Sequence, residues 1–181
     1  MRTTFYHAGS RPPILKFASL AELYAHFETI FLGSNEISAK IVSDCGLTVT
    51  VFDHNFFHMV KLRHPNKQKL FMKEEKEVLR AHRNGFGLYE CERQRAVHLR
   101  AAKETIEHPD EVYEAALKTA SHIFVKIFKE LPYPFTVVLV AKRDGSLLVP
   151  VTSFPCRRRD VKKWRKGRLI YSRPQNTTAA V

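Results

Sequence analysis

FTVVLVAKRDGSLLVPVTSF, residues 135–154, consists of two β-rich apolar runs on either side of Asp144-Gly145. Branched and aromatic side chains fit the pleated, half-buried surface of a sheet. Asp-Gly between two such runs is a strong short-range signal for a tight hairpin. The runs Phe135–Arg143 and Ser146–Phe154 have matching lengths, so they are expected to pair antiparallel. A parallel crossover would need a helix between them, and none fits.

Outward from this hairpin, Ser121–Lys129 adds a strand before it and Arg168–Ser172 a weaker fourth after it. Ahead of these lies Leu88–Glu107, rich in Glu, Arg and Ala and strongly helix-prone, closed by His108-Pro109. Asp110 is expected to cap a further helical turn over Glu111–Leu117. Residues 73–83 are charged and helix-prone, and Gly85 and Gly87 interrupt that pattern. Earlier still, Ser19-Leu20-Ala21-Glu22 fits a capping box, and Leu20, Leu23, Tyr24, Phe27, Ile30 and Phe31 recur at helical spacing. Lys40–Val42 and Leu47–Phe52 read as short strands about a turn at Asp44-Cys45-Gly46. Asp53 caps a short helix to about Leu62, where His64-Pro65-Asn66 breaks it. The expected class is α+β: helices followed by a roughly four-stranded antiparallel sheet, with an additional N-terminal helix. Residues 1–45 form an N-terminal arm and helical extension, 46–173 the main domain, and 174–181 a disordered tail.

The chain of 181 residues carries a net charge of +12, which favours a polyanionic partner. Residues 142–173 hold eleven Lys and Arg against Asp144 and Asp160, so most of the excess sits there. Its densest part runs from Arg157, Arg158 and Arg159 through Lys162, Lys163, Trp164 and Arg165. A solvated basic face is the plain reading of such a run. Trp164 and the apolar Leu169-Ile170-Tyr171 that follow point instead to a folded loop that contacts nucleic-acid phosphates and stacks on unpaired bases. No apolar run is long enough for a membrane span, and no secretory h-region opens the chain. Cys45, Cys91 and Cys156 are too scattered for a disulfide framework or a zinc site, so a cytoplasmic setting is the default. His54 and His58 share a helical face but lack a third ligand, and neither a metal nor another cofactor is expected. P-loop, dinucleotide and EF-hand patterns are absent from the sequence.

Several strings occur in a recognisable order. His58 precedes the basic step Lys61-Leu62-Arg63-His64-Pro65. Arg95-Ala96 precedes Thr105-Ile106-Glu107-His108-Pro109-Asp110-Glu111-Val112-Tyr113. Phe124-Val125-Lys126, Val137–Ala141 and Val149-Pro150-Val151-Thr152-Ser153-Phe154 follow. Together, over about residues 47–172, they resemble the phage-associated branch of the barnase–EndoU–colicin–RelE nuclease superfamily. The resemblance implies a compact α+β domain that cleaves RNA without metal, found in toxins and in domains of phage-encoded proteins.

Metal-free RNA cleavage needs a proton acceptor for the 2′-hydroxyl, a proton donor for the leaving oxygen and cations for the phosphorane. The resemblance assigns His58 to proton transfer, Arg95 and Lys126 to the phosphate, and Thr152 to a phosphate oxygen. His98, three residues after Arg95, is a backup for His58. Each has a plainer alternative: a surface histidine, an arginine paired with Glu90 or Glu92, a lysine at a sheet edge, a strand hydroxyl. All four are expected to converge on one face of the sheet. Two other readings stand beside an RNA endonuclease. One is a non-catalytic nucleic-acid-binding module. The other is an interaction domain of a phage or mobile-element protein, with an exposed apolar patch on the Leu20–Phe31 helix. RNA is the expected partner and an antitoxin or immunity protein a candidate one; oligomeric state stays open.

Overall fold

The computed structural model describes residues 14–33, 36–62, 90–115, 121–128, 135–165 and 167–174. The expected helix over 73–83, its interruption at Gly85 and Gly87, the break at His64-Pro65-Asn66 and residues 175–181 lie outside them. Ser19 caps α1 (Leu20–Phe27) through its side-chain oxygen, which accepts the Glu22 N–H at 3.1 Å. A π-helical turn, Glu28–Leu32, extends it to Gly33, whose φ of +78° ends the helix. Strands β1 (Ser38–Val42) and β2 (Thr48–Phe52) pair antiparallel, and α2 (Asn55–Val60) follows. The expected long helix is two pieces among the described residues, α3 (Arg93–Ala96) and α4 (Leu99–Glu107). Strands β3 (Glu111–Ala115), β4 (Ser121–Phe128), β5 (Phe135–Asp144), β6 (Leu147–Cys156) and β7 (Arg168–Ser172) follow among the described residues. A 3₁₀ segment, Arg158–Lys163, lies between the last two.

The α+β class holds, but the sheet is larger than four strands. Among the described residues seven strands line up as β1-β2-β6-β5-β4-β3-β7. The N-terminal hairpin joins through a single parallel bridge, Val49 to Leu148. The expected helical turn over Glu111–Leu117 is overturned: residues 111–115 form β3, antiparallel to both β4 and β7. Asp110 caps nothing there; its carboxylate accepts the Ile127 N–H at 2.7 Å. Pairing on both sides outweighs the weak helical propensity of five residues. The hairpin forms as expected, with its two-residue loop one position later, at Gly145-Ser146. Gly145 has φ +57° at the first loop position, which a tight hairpin turn reserves for glycine.

One face of the sheet is covered by helices. Leu23 and Phe27 of α1, Phe56 and Met59 of α2, and Leu99 and Ile106 of α4 pack with Val112, Phe124 and Leu139 in one core. The apolar side of α1 is thereby buried, so the exposed patch that an interaction domain called for is not there. On the opposite face Ile123, Val125 and Val138 form a smaller cluster with Val161, flanked by Val140, Phe154 and Trp164. A β-bulge separates the two halves of β6. Pro150 faces Ala141 while Thr152 faces Val140, leaving Val151 as the extra residue.

Candidate active site

Beyond Leu148, β6 has no strand on its outer side among the described residues, and the two short helices close in there. The Asn55 side chain accepts the Phe52 N–H at 2.7 Å and donates to the Pro150 carbonyl at 3.1 Å, which ties α2 to β6. The Glu92 N–H donates to the Val60 carbonyl at 3.0 Å, which sets α3 beside α2. From α3, Arg95 reaches β6. Its Nη1 donates to the Thr152 hydroxyl, and its guanidinium lies 5.2 Å from the centre of the Phe154 ring. Trp164 packs against the same Phe154 ring with a centroid separation of 4.8 Å. Cation, hydroxyl and two aromatics thus form one continuous surface.

A carboxylate completes it. Glu92 Oε2 lies 2.7 Å from Lys61 Nζ and 3.4 Å from Arg95 Nε. Partial burial pushes the Glu92 carboxyl up, but Lys61 and Arg95 together outweigh this and hold it below the usual carboxylate range. It is therefore ionised at neutral pH.

The structure brings Arg95 and Thr152 together and keeps Lys126 apart from them. Through the register, Thr152 lies opposite Val140 and Ile123, whereas Lys126 lies opposite Val137 and Pro155. Alternation along each strand sends these two rows to opposite faces. Convergence of all four residues on one face is accordingly corrected. Lys126 lies under α4 with its side chain 3% exposed, donates to the His108 carbonyl at 2.8 Å and sits 3.5 Å from Glu104. Burial pushes its pKa down, only partly countered by Glu104 and Asp110. His58 is exposed in the last turn of α2, three residues before Lys61. Nδ1 of His98 lies 2.6 Å from the Gln94 carbonyl, which can only accept, so that nitrogen carries the proton.

In the basic segment Arg157, Arg159, Lys162 and Lys163 are exposed, and the side chain of Arg158 lies outside the description. Arg165 is already engaged: two of its nitrogens donate to Glu111 at 2.6 and 2.7 Å. Gly167 brings the segment onto β3. Its φ is +99°, and a Cβ there would collide with the Glu114 carbonyl and lie 2.7 Å from Ala115 Cα.

Sequence reasoning missed Lys61 and Phe154, and gave Glu92 only as the plainer partner of Arg95, a pairing that the structure contains. Phe154 was legible as a strand residue two positions after Thr152, on the same face by alternation. Nothing local links Lys61 to Glu92, thirty-one residues away. Among the described residues no three metal-ligating side chains gather, and no helix is long and apolar enough to cross a membrane. The family model described as phage-Barnase-EndoU-ColicinE5/D-RelE like nuclease2 matches residues 31–172. No curated protein and no solved structure matches the chain.

Proposed function

The chain belongs to this phage-associated nuclease family, and from that premise we propose that it is a metal-independent endoribonuclease. The observation that carries the reading is the Arg95–Thr152 contact beside Phe154 and Trp164. A guanidinium fixed by a strand hydroxyl is a preorganised phosphate clamp, and preorganised charge lowers a barrier without reorganising during the reaction. An indole edging such a clamp suits stacking of the unpaired base next to the bound phosphate.

In the proposed reaction the 2′-oxygen forms a bond to the adjacent phosphorus while the bond from phosphorus to the 5′-oxygen breaks. The products are a 2′,3′-cyclic phosphate and a 5′-hydroxyl. The 2′-hydroxyl proton must leave and the 5′-oxygen must gain one. His58 is the residue proposed for proton transfer, since an exposed imidazole can both accept and donate a proton. Arg95 holds the equatorial oxygens and Thr152 orients Arg95. Lys126 has no place in this scheme, because it is buried against Glu104. Arg157, Arg159, Lys162 and Lys163 contribute strand binding through backbone phosphates.

The burial of Lys126 also favours a second reading, a module that binds RNA and does not cut it. Incubating the purified chain with single-stranded RNA in excess chelator separates the two. Cleavage to cyclic-phosphate ends, lost in Arg95→Ala, is the expected result. Intact RNA with tight binding would leave the binding module.

A further inference from the structure

Helix α2 ends in a Schellman arrangement. The Lys61 N–H bonds the His58 carbonyl at 3.3 Å, the Leu62 N–H bonds the Phe57 carbonyl at 2.9 Å, and Leu62 is buried. The residue at the left-handed position is Lys61, with φ +53° and ψ +56°. Among the described residues it is the one non-glycine with positive φ. Glycine takes this conformation without steric cost, and lysine does not. Strain of this kind concentrates where a side chain is needed at a fixed place.

What the lysine does there is visible. Lys61 Nζ and Arg95 Nε, from separate elements, converge on the same oxygen of Glu92. The far end of the Arg95 guanidinium holds the Thr152 hydroxyl. An anionic oxygen shared by an ammonium and a guanidinium, next to a hydroxyl, is also how a non-bridging phosphate oxygen is bound. Lys61 is 38% exposed and Glu92 42%, so both can be reached from solvent.

We propose that Lys61 is a phosphate-binding residue of this site, and that Glu92 is the counter-ion which an RNA phosphodiester displaces. The proposal rests on the nuclease reading above and names how that site is kept closed to weaker anions. Because Glu92 is ionised, the exchange is one anion for another, with no proton taken up. Held between the two cations, Glu92 also keeps them at phosphate spacing in the absence of RNA.

The test uses the full chain and a single-stranded oligoribonucleotide carrying 2′-O-methyl groups, which binds but cannot be cut. Binding is read by fluorescence anisotropy and folding by thermal unfolding. Lys61→Gly should weaken binding about 10-fold while leaving Tm unchanged or higher, because glycine relieves the left-handed strain. Lys61→Arg should keep most of the affinity. Glu92→Gln should tighten binding by roughly 3- to 10-fold, since the competing charge is gone. Wild-type affinity in Lys61→Gly, or weaker binding in Glu92→Gln, would overturn the proposal. If Arg95→Ala abolishes binding while Lys61→Gly does not, only this inference falls. A wild-type chain that neither binds nor cuts RNA takes down the nuclease reading as well.

Discussion

The two faces of the sheet carry the same three kinds of group. Under the helices, Lys126 pairs with Glu104 and lies 5.7 Å from the Phe128 ring; on the other side, Arg95 pairs with Glu92 and lies 5.2 Å from Phe154. Their environments separate them. The first pair is almost shut off from water, with side chains 3% and 13% exposed, against 15% and 42% for the second. Burial dominates at Glu104 and pushes its carboxyl up, despite Lys126; at Glu92 the two cations win and its carboxyl is held down. Residue chemistry is alike on both faces, and solvent decides which trio is accessible. A buried pair couples helix to sheet, and an accessible one can exchange its partner.

Removing Lys126 should have the largest effect. Lys126→Met leaves the Glu104 carboxylate inside without a cation, and should lower stability by about 3–5 kcal/mol in denaturant unfolding at pH 7. The sign of its pH dependence follows from the raised Glu104 pKa. A carboxyl raised in the fold incurs no ionisation cost below its ordinary range and incurs it as pH rises through the folded value. The loss in Lys126→Met should therefore shrink toward pH 4. An equal loss at both pH values would show that the pair is not coupled. Complete loss of cleavage in a folded Lys126→Met protein would break the contrast between the faces.

Arg95→Ala should come next, and in the opposite currency. Cleavage should fall about 100- to 1,000-fold, equivalent to about 2.7–4 kcal/mol of transition-state stabilisation. Thermal unfolding should move little, because the side chain sits at a sheet edge rather than in the core. A variant that unfolds readily but still cuts RNA when folded would put Arg95 with Lys126 instead.

Gly167→Ala probes how the basic segment is mounted on the accessible face. The added methyl meets β3 backbone at a φ that alanine resists, so about 2–3 kcal/mol of local stability should be lost. Faster hydrogen exchange confined to residues 157–172 would report it; uniform loss across the sheet would mean β7 is part of one cooperative unit. Smallest per residue are single neutralisations at Arg157, Arg159, Lys162 or Lys163. Each should weaken RNA binding across sequences and flatten the logarithmic salt slope by about 0.7 on single strands. An unchanged slope would turn these charges away from the nucleic acid.

The hairpin, the α1 cap and the strand identities of β4 to β7 were legible because each is a local signal. Asp-Gly, Ser-x-x-Glu and β-branched runs act within a few residues. Strand β3 was not, because Glu111–Ala115 has mixed propensity and becomes extended only through partners at 121–125 and 168–172. At the site, Arg95 and Thr152 were named for chemistry that the family order implied, and they touch. Lys126 was misread for a physical reason: strand alternation was applied within β4 but could not be carried across to β6. Pro150 was the overlooked clue, since a proline inside a central strand marks an irregularity in the ladder.

That irregularity works as a phase shifter. Up to Pro150, β6 sends Leu148 and Pro150 toward the helices, and an unbroken two-residue rhythm would send Thr152 and Phe154 after them. One surplus residue, Val151, inverts the rhythm, so the second half of the same strand presents hydroxyl and ring outward and buries Ser153 instead. The side of the sheet that carries the hydroxyl held by Arg95 is thus set by a count of residues, odd or even, between a turn and a threonine. Two relatives with identical site residues but differing by a single insertion in this strand would place those residues on opposite sides of the molecule.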